Sequence, residues 1–315
     1  MVDFGVSISH GRLYDGSLTF VREFLWCDAA IDGPVPSQHA GGNMSPPALI
    51  LFDCDGTLVD SQQMICAAMQ QAFADHNLAC PPRPKVLAIV GLSLPVAVAR
   101  LAEGRAGFPV DSIVERYKAA FFRMRQSGEY VEALYPGARE AVESLAAQPQ
   151  VQLGIATGKS QRGVRAVLGH HGLLSHFSVI KTADDAPSKP HPGMVLDAMT
   201  ETGAQPQHTV LIGDTSYDMQ MARAAGVRAI GVNWGYHPVD ALRAAGAQAV
   251  VESFAELARM LDAIPSLRVR GEGDERQSRE PGEGNSPPAR AAETAPHPPA
   301  VAPLRGRPLP ASGER

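Results

Sequence analysis

Residues 50–60 read Ile50-Leu51-Phe52-Asp53-Cys54-Asp55-Gly56-Thr57-Leu58-Val59-Asp60. The apolar run from Ala48 to Phe52 has the length and composition of a strand buried on both faces of a parallel sheet. It ends in two carboxylates, Asp53 and Asp55, with Gly56 and Thr57 directly behind them. Side chains at i and i+2 of an extended strand start on the same side. Both acids are therefore aimed into the crevice at the carboxyl end of a strand, where open α/β sheets bind ligands. Two carboxylates held together cost electrostatic energy unless a cation or a proton relieves them. An ordinary acidic turn would also account for Asp-x-Asp-Gly taken alone.

Three further pieces follow in order. Ile155-Ala156-Thr157-Gly158 closes a second apolar run that begins near Val151, and Ser188-Lys189-Pro190 lies beyond a third. Val210-Leu211-Ile212-Gly213-Asp214 closes a fourth, with Asp218 four residues on. Across residues 47–261 these motifs resemble those of the haloacid dehalogenase-like hydrolases, specifically the phosphatases with a small helical cap inserted after the first motif.

The resemblance implies a Rossmann-like α/β fold, a doubly wound parallel sheet with helices on both faces. It implies Asp53 as a nucleophile that takes up the phosphoryl group, and Asp55 as the acid that protonates the leaving oxygen and then deprotonates water. It puts Mg²⁺ on the Asp53 side chain, the Asp55 carbonyl and Asp214, with Asp218 behind them orienting a ligand. Thr157 and the amide of Gly158 would hold phosphoryl oxygens, and Lys189 would neutralise their charge. Alone, Thr157, Asp214 and Asp218 also suit helix caps, and Lys189 an exposed surface position.

Within the resemblance, Asp55 argues against a dehalogenase, whose leaving group needs no proton. Sugar phosphomutases carry a histidine twelve residues after the nucleophile, where this chain has Ile65. The expected activity is hydrolysis of a small phosphate monoester, as in phosphoglycolate phosphatases, with pyrophosphatase and phosphomutase as alternatives and a non-catalytic scaffold as the reading from another class. Gly158-Lys159-Ser160 imitates the end of a nucleotide-binding P-loop, but that motif needs a glycine where Leu153 stands.

Residues 62–133 have helical texture and are expected to form the cap, hinged at Ser61 and near Leu134. One face joins Ile65, Ala68, Ala72 and Phe73; another joins Ile113, Tyr117, Phe121 and Met124. Met64, Met69 and the pair Phe121-Phe122 are expected in its core. Arg83, Lys85, Arg100 and Arg105 are its candidates for meeting a second anionic group. Val90-Gly91-Leu92-Ser93-Leu94 is the candidate loop for reaching into the site, because Gly91 permits close backbone approach. The remaining strands are expected at 151–156, 177–181, 208–213, 228–232 and 249–252, alternating with helices, so residues 44–61 and 134–264 make up the core.

The chain has 315 residues, a formal charge of −5 and a pI near 6.1, giving no bulk attraction for nucleic acid or anionic membrane. A small phosphorylated metabolite is the expected partner, bound by a monomer or homodimer. Cys27, Cys54, Cys66 and Cys80 have no zinc spacing and suit a reducing cytoplasm. No apolar run reaches the ~20 residues of a membrane span. Residues 265–315 hold ten of the 26 prolines and no aromatic residue, so the tail is expected to be disordered. Residues 1–43 lack the layout of a signal peptide, and translation is expected to begin at Met44, just before the first strand.

Overall fold

The computed structural model describes residues 48–102, 104–128 and 130–264. The expectations for residues 1–43, for a start at Met44 and for the 265–315 tail lie outside the described residues.

Six strands form one parallel sheet: β1 (Ala48–Phe52), β4 (Val151–Thr157), β5 (Phe177–Thr182), β6 (Thr209–Gly213), β7 (Arg228–Val232) and β8 (Ala249–Val251). Their order is β5-β4-β1-β6-β7-β8. The apolar runs locate all six strands, with ends displaced by one residue at most. The central strand explains its own composition. Ile50 and Phe52 enter the core on one side of the sheet, with Val142, Val164 and Leu257, while Leu49 and Leu51 enter the core on the other, with Met194, Met219 and Leu242. With both faces covered, no position on β1 is left for a polar residue. Truncating Phe52, which is fully buried, to alanine would cost about 3–5 kcal/mol.

The first core is closed by α5 (Ala138–Ala146), α6 (Gln161–His170) and α10 (Phe254–Ala263), the second by α7 (Gly193–Thr202), α8 (Ser216–Ala224) and α9 (Val239–Ala245). Strand β1 pairs with β4 on one side and β6 on the other, Phe52 standing beside Ile155 and Ile212. The chain winds in opposite directions on either side of this point. Such a switch point opens a crevice at the carboxyl ends of the strands.

After β1 the chain turns back through β2 (Val59–Asp60), which pairs antiparallel with β3 (Ala133–Leu134). The sequence pattern does not announce these two-residue strands, which are too short to show alternation. Between them lie α1 (Gln62–Ala74), α2 (Arg83–Leu87), α3 (Leu94–Leu101) and α4 (Val110–Ser127). They enclose a third core containing Ile65, Met69, Phe73, Val98 and Ile113. Pro82 precedes α2 and Gly128, with φ at 68°, ends α4. Among the described residues, no helix is long and apolar enough to cross a membrane.

Candidate active site

Asp53, Thr157 and Asp214 each stand at the carboxyl end of one of three adjacent strands, so sheet register alone brings them together. The Asp53 amide donates to Ile212 O at 2.9 Å, and its Oδ1 accepts from the Cys54 amide at 2.6 Å. The chain then reverses at Gly56, whose φ is 85°. A β-carbon there would fall inside the Asp214 carboxylate, so glycine is required by both backbone conformation and space. Thr57, next in sequence, donates its hydroxyl to Asp214 Oδ1 at 2.9 Å, and the Tyr236 amide donates to Oδ2 at 2.9 Å.

Lys189 is a buried residue rather than a surface lysine. Its Nζ lies 2.6 Å from Asp218 Oδ1 and 2.8 Å from Asp53 Oδ2. Burial opposes the ammonium, but the Asp218 and Asp53 carboxylates hold its pKa above the ordinary lysine value. Asp218 Oδ2 accepts from the Thr215 amide at 3.0 Å and its hydroxyl at 2.6 Å, completing a capping box at the start of α8. Both Asp218 oxygens are thus taken, and the residue positions Lys189. Thr157 caps no helix; Ser160 caps α6, accepting from the Gly163 amide.

The oxygens of Asp53, Asp214 and Asp218 approach within 4.8 Å of one another. Three buried carboxylates against one ammonium leave a formal charge of −2. Burial pushes the Asp53 carboxyl up to about 6, with Lys189 pulling it down and Asp218 pushing it further up. Asp214 is raised well above the carboxylate range by burial and then by the charges of Asp53 and Asp218. Lys189 and the Thr157 hydroxyl both hydrogen-bond the buried Asp53 carboxylate, the ammonium 2.8 Å from Oδ2. A hard divalent cation fits this set of carboxylate oxygens, since it would cancel the excess charge.

Asp55 lines the same cavity as Asp53 and belongs to a second network. Its Oδ1 accepts from Ser61 Oγ at 2.5 Å and from Lys159 Nζ at 2.8 Å. Lys159 also lies 3.2 Å from Glu132 Oε1, and Arg125 Nε donates to Glu132 Oε2 at 2.7 Å. Burial opposes the Lys159 charge, but Asp55 and Glu132 hold its pKa above the ordinary lysine value. Sequence reading missed Lys159, Glu132 and Arg125. Lys159 was visible only as a failed P-loop, and the other two carry no local pattern.

The cavity above these groups has a volume of about 420 Å³. The 90–94 loop forms part of its wall and rests on the core. The Ser93 amide donates to Ser188 Oγ at 2.9 Å, and a β-carbon on Gly158 would strike the carbonyls of Gly91 and Leu92. Tyr217 donates its hydroxyl to Ala88 O at 3.0 Å and accepts from Arg100 Nη1 at 2.6 Å. Of the expected basic residues, Arg83 donates to Gln62, Arg100 to Tyr217, and Arg105 to the carbonyls of Leu101 and Ala102. Neither these three nor Lys85 lines the cavity; Lys118, Arg125, Lys159 and Arg162 do.

The expectation that Phe121 and Phe122 fill the core of the insertion holds for Phe121, which packs against that core, and is corrected for Phe122. Phe121 is half-buried on the cavity wall, 5.0 Å below Lys159 Nζ, and Phe122 is 40% exposed beneath the Arg162 guanidinium. Adjacent helical residues point about 100° apart, so both cannot face the bundle. Met64 and Met69 are buried as expected, and Met69 also lines the cavity.

Comparison with known proteins agrees with this fold. Residues 50–232, more than half of the chain, match the model of the family described as haloacid dehalogenase-like hydrolase. The chain is 37% identical over 221 residues to a probable phosphatase IndB from Dickeya dadantii, covering 70% of this chain and 95% of that protein. It is 34% identical over 203 residues to a phosphoglycolate phosphatase from Pseudomonas putida, covering 62% and 74%. A crystal structure of a hydrolase from Pseudomonas syringae superimposes with a TM-score of 0.62 at 27% identity, covering 69% of this chain and 99% of that one. On the fold and on these matches, the chain belongs to the haloacid dehalogenase-like hydrolase family.

Proposed function

We propose that the protein is a Mg²⁺-dependent phosphatase that hydrolyses a small phosphate monoester through an aspartyl-phosphate on Asp53. The observation that carries this reading is the buried cluster of Asp53, Asp214, Asp218 and Lys189, whose Asp53 reaches the wall of a cavity that Asp55 also lines. The relatives named as phosphatases support the same class.

Mg²⁺, held by the Asp53 and Asp214 side chains and the Asp55 carbonyl, would supply charge neutralisation for the incoming phosphate. An oxygen of Asp53 attacks phosphorus as the bond to the leaving oxygen breaks, and protonated Asp55 gives that oxygen its proton. Asp55, now a carboxylate, takes a proton from water, which attacks the aspartyl-phosphate and releases inorganic phosphate. Lys189, Thr157 and the Gly158 amide hold the phosphoryl oxygens in both steps. Residues 62–133 act as a cap hinged at Ser61 and Leu134 that excludes water when shut. Ile65, on the cavity wall, offers no proton-transfer group, which counts against a phosphomutase. The described cysteines, Cys54, Cys66 and Cys80, are free thiols, in keeping with a reducing cytoplasm.

The test is phosphate release from a panel of monoesters with Mg²⁺ or EDTA, on the wild type, Asp53→Asn and Asp55→Asn. The proposal expects metal-dependent release that Asp53→Asn abolishes, and acid-stable protein-bound phosphate absent from Asp53→Asn. Release unaffected by Asp53→Asn would overturn the covalent mechanism.

A further inference from the structure

The cations around the cavity are unequally available. Lys159 is matched by Asp55 and Glu132, Arg125 by Glu132, and Lys118 by Glu115 at 2.8 Å. Two inner cations thus face two inner carboxylates, and the space beside the reacting phosphate holds no surplus positive charge for a second anion. Arg162 differs. Its guanidinium carbon stands 4.3 Å from the centroid of the Phe122 ring, and among the described residues it has no anionic or hydrogen-bonding partner. Much of the remaining wall is apolar, with Ile65, Met69, Leu92, Tyr117 and Phe121 beside the polar Ser93, Ser160 and Asp184. A cavity of about 420 Å³ lies within the range of about 300–1,000 Å³ that encloses drug-sized ligands, and far exceeds the needs of a two-carbon acid.

Resting on the phosphatase reading, we infer that the leaving group is a ring-bearing alcohol without a carboxylate next to its phosphorylated carbon, seated with the planar ring against Phe122 and a hydrogen-bond acceptor directed at Arg162. An exposed phenyl ring beside a guanidinium offers one flat face for stacking and several N–H donors at its edge. A carboxylate beside the phosphate, as in phosphoglycolate, would instead lie among Asp55, Glu132 and their matched cations. It would have to displace one carboxylate to gain a partner.

The assignment is tested with four esters and Mg²⁺: ethyl phosphate, phosphoglycolate, benzyl phosphate and 4-carboxybenzyl phosphate. The expected kcat/KM for benzyl phosphate exceeds those for phosphoglycolate and ethyl phosphate at least tenfold, with the 4-carboxy ester higher again. Phe122→Ala lowers the benzyl-to-ethyl ratio about tenfold, and Arg162→Ala lowers the 4-carboxybenzyl-to-benzyl ratio by a similar factor. Both residues lie at the surface, so both variants are expected to fold. Preference for phosphoglycolate, or ratios unmoved by both substitutions, would overturn the leaving-group assignment while leaving the phosphatase reading intact. Hydrolysis of none of the four esters would overturn both.

Discussion

Lys159 Nζ lies 2.8 Å from Asp55 Oδ1 in a wall where the two side chains are only 8% and 13% exposed. The same ammonium reaches Glu132, immediately before β3 in the segment returning from the insertion. One lysine therefore joins the first sequence motif, the segment after β4 and the hinge of the insertion. Ser61, at the other side of the hinge, donates to the same Asp55 oxygen.

Substituting Lys159 by methionine keeps most of the volume and removes the charge. Asp55 and Glu132 then remain as poorly solvated carboxylates without their shared partner. A loss of about 3 kcal/mol in urea unfolding is expected, as for other broken buried pairs. In a double-mutant cycle, Asp55→Asn should recover part of that loss, giving a coupling of about 1–3 kcal/mol. Strict additivity of the two substitutions would show that the pair carries no interaction.

Metal binding should be pH-dependent, with the sign set by the raised carboxyls of Asp53 and Asp214. The Asp53 carboxyl, raised to about 6, must lose its proton before it ligates a cation. Mg²⁺ is expected to raise Tm at pH 7.5, by an increment that shrinks as pH falls and the ligating carboxyls take up protons. Without metal the sign reverses: a carboxyl whose folded-state pKa is raised contributes stability at low pH that is lost as pH rises through about 6. Asp214→Asn should abolish the Mg²⁺ increment. Thermal shift at pH 5.0, 6.0 and 7.5, with Mg²⁺ or EDTA, measures all three.

The strands and the cluster at their carboxyl ends were legible because both follow from short-range rules. An apolar run buried on two faces marks each strand, and parallel register carries Asp53, Thr157 and Asp214 to one edge without further information. Lys189 was legible only through its motif, since nothing local distinguishes a lysine buried between Asp53 and Asp218 from an exposed one. The network of Asp55, Lys159, Glu132 and Arg125 joins residues up to 104 positions apart through side-chain tips. No periodicity encodes such a meeting. Phe122 was misread for a related reason. Apolar character predicts burial in general, whereas this ring, about 100° round the helix from Phe121, lies at the surface against Arg162.

The described cysteines should resist alkylation. Burial pushes the Cys80 thiol up to about 11 and the nearby Cys66 thiol adds to it; Cys54 and Cys66 are also raised chiefly by burial. At pH 8 the Cys80 thiolate fraction is then about 100-fold below that of an ordinary thiol. Iodoacetamide labelling followed by peptide mass spectrometry should find Cys80 modified about 100-fold more slowly in folded than in urea-unfolded protein. Equal rates would contradict the burial that the structure shows.

Gly158→Ala isolates the contact between the insertion and the core. The backbone of Gly158 does not occupy the left-handed region, so alanine adopts its conformation without strain. The added methyl would nevertheless meet Leu92 O at 2.6 Å and Gly91 O closer still. Neither carbonyl belongs to a flexible side chain, so relief requires the 90–94 loop to lift from the core. Cavity closure then suffers while both hydrophobic cores stay intact. A fall in kcat/KM of at least tenfold is expected, with Tm close to wild type. Phosphate-release kinetics and a thermal melt on the same sample check it. Unchanged kcat/KM would mean that this contact is not needed for turnover, and a large drop in Tm would mean that it serves stability instead.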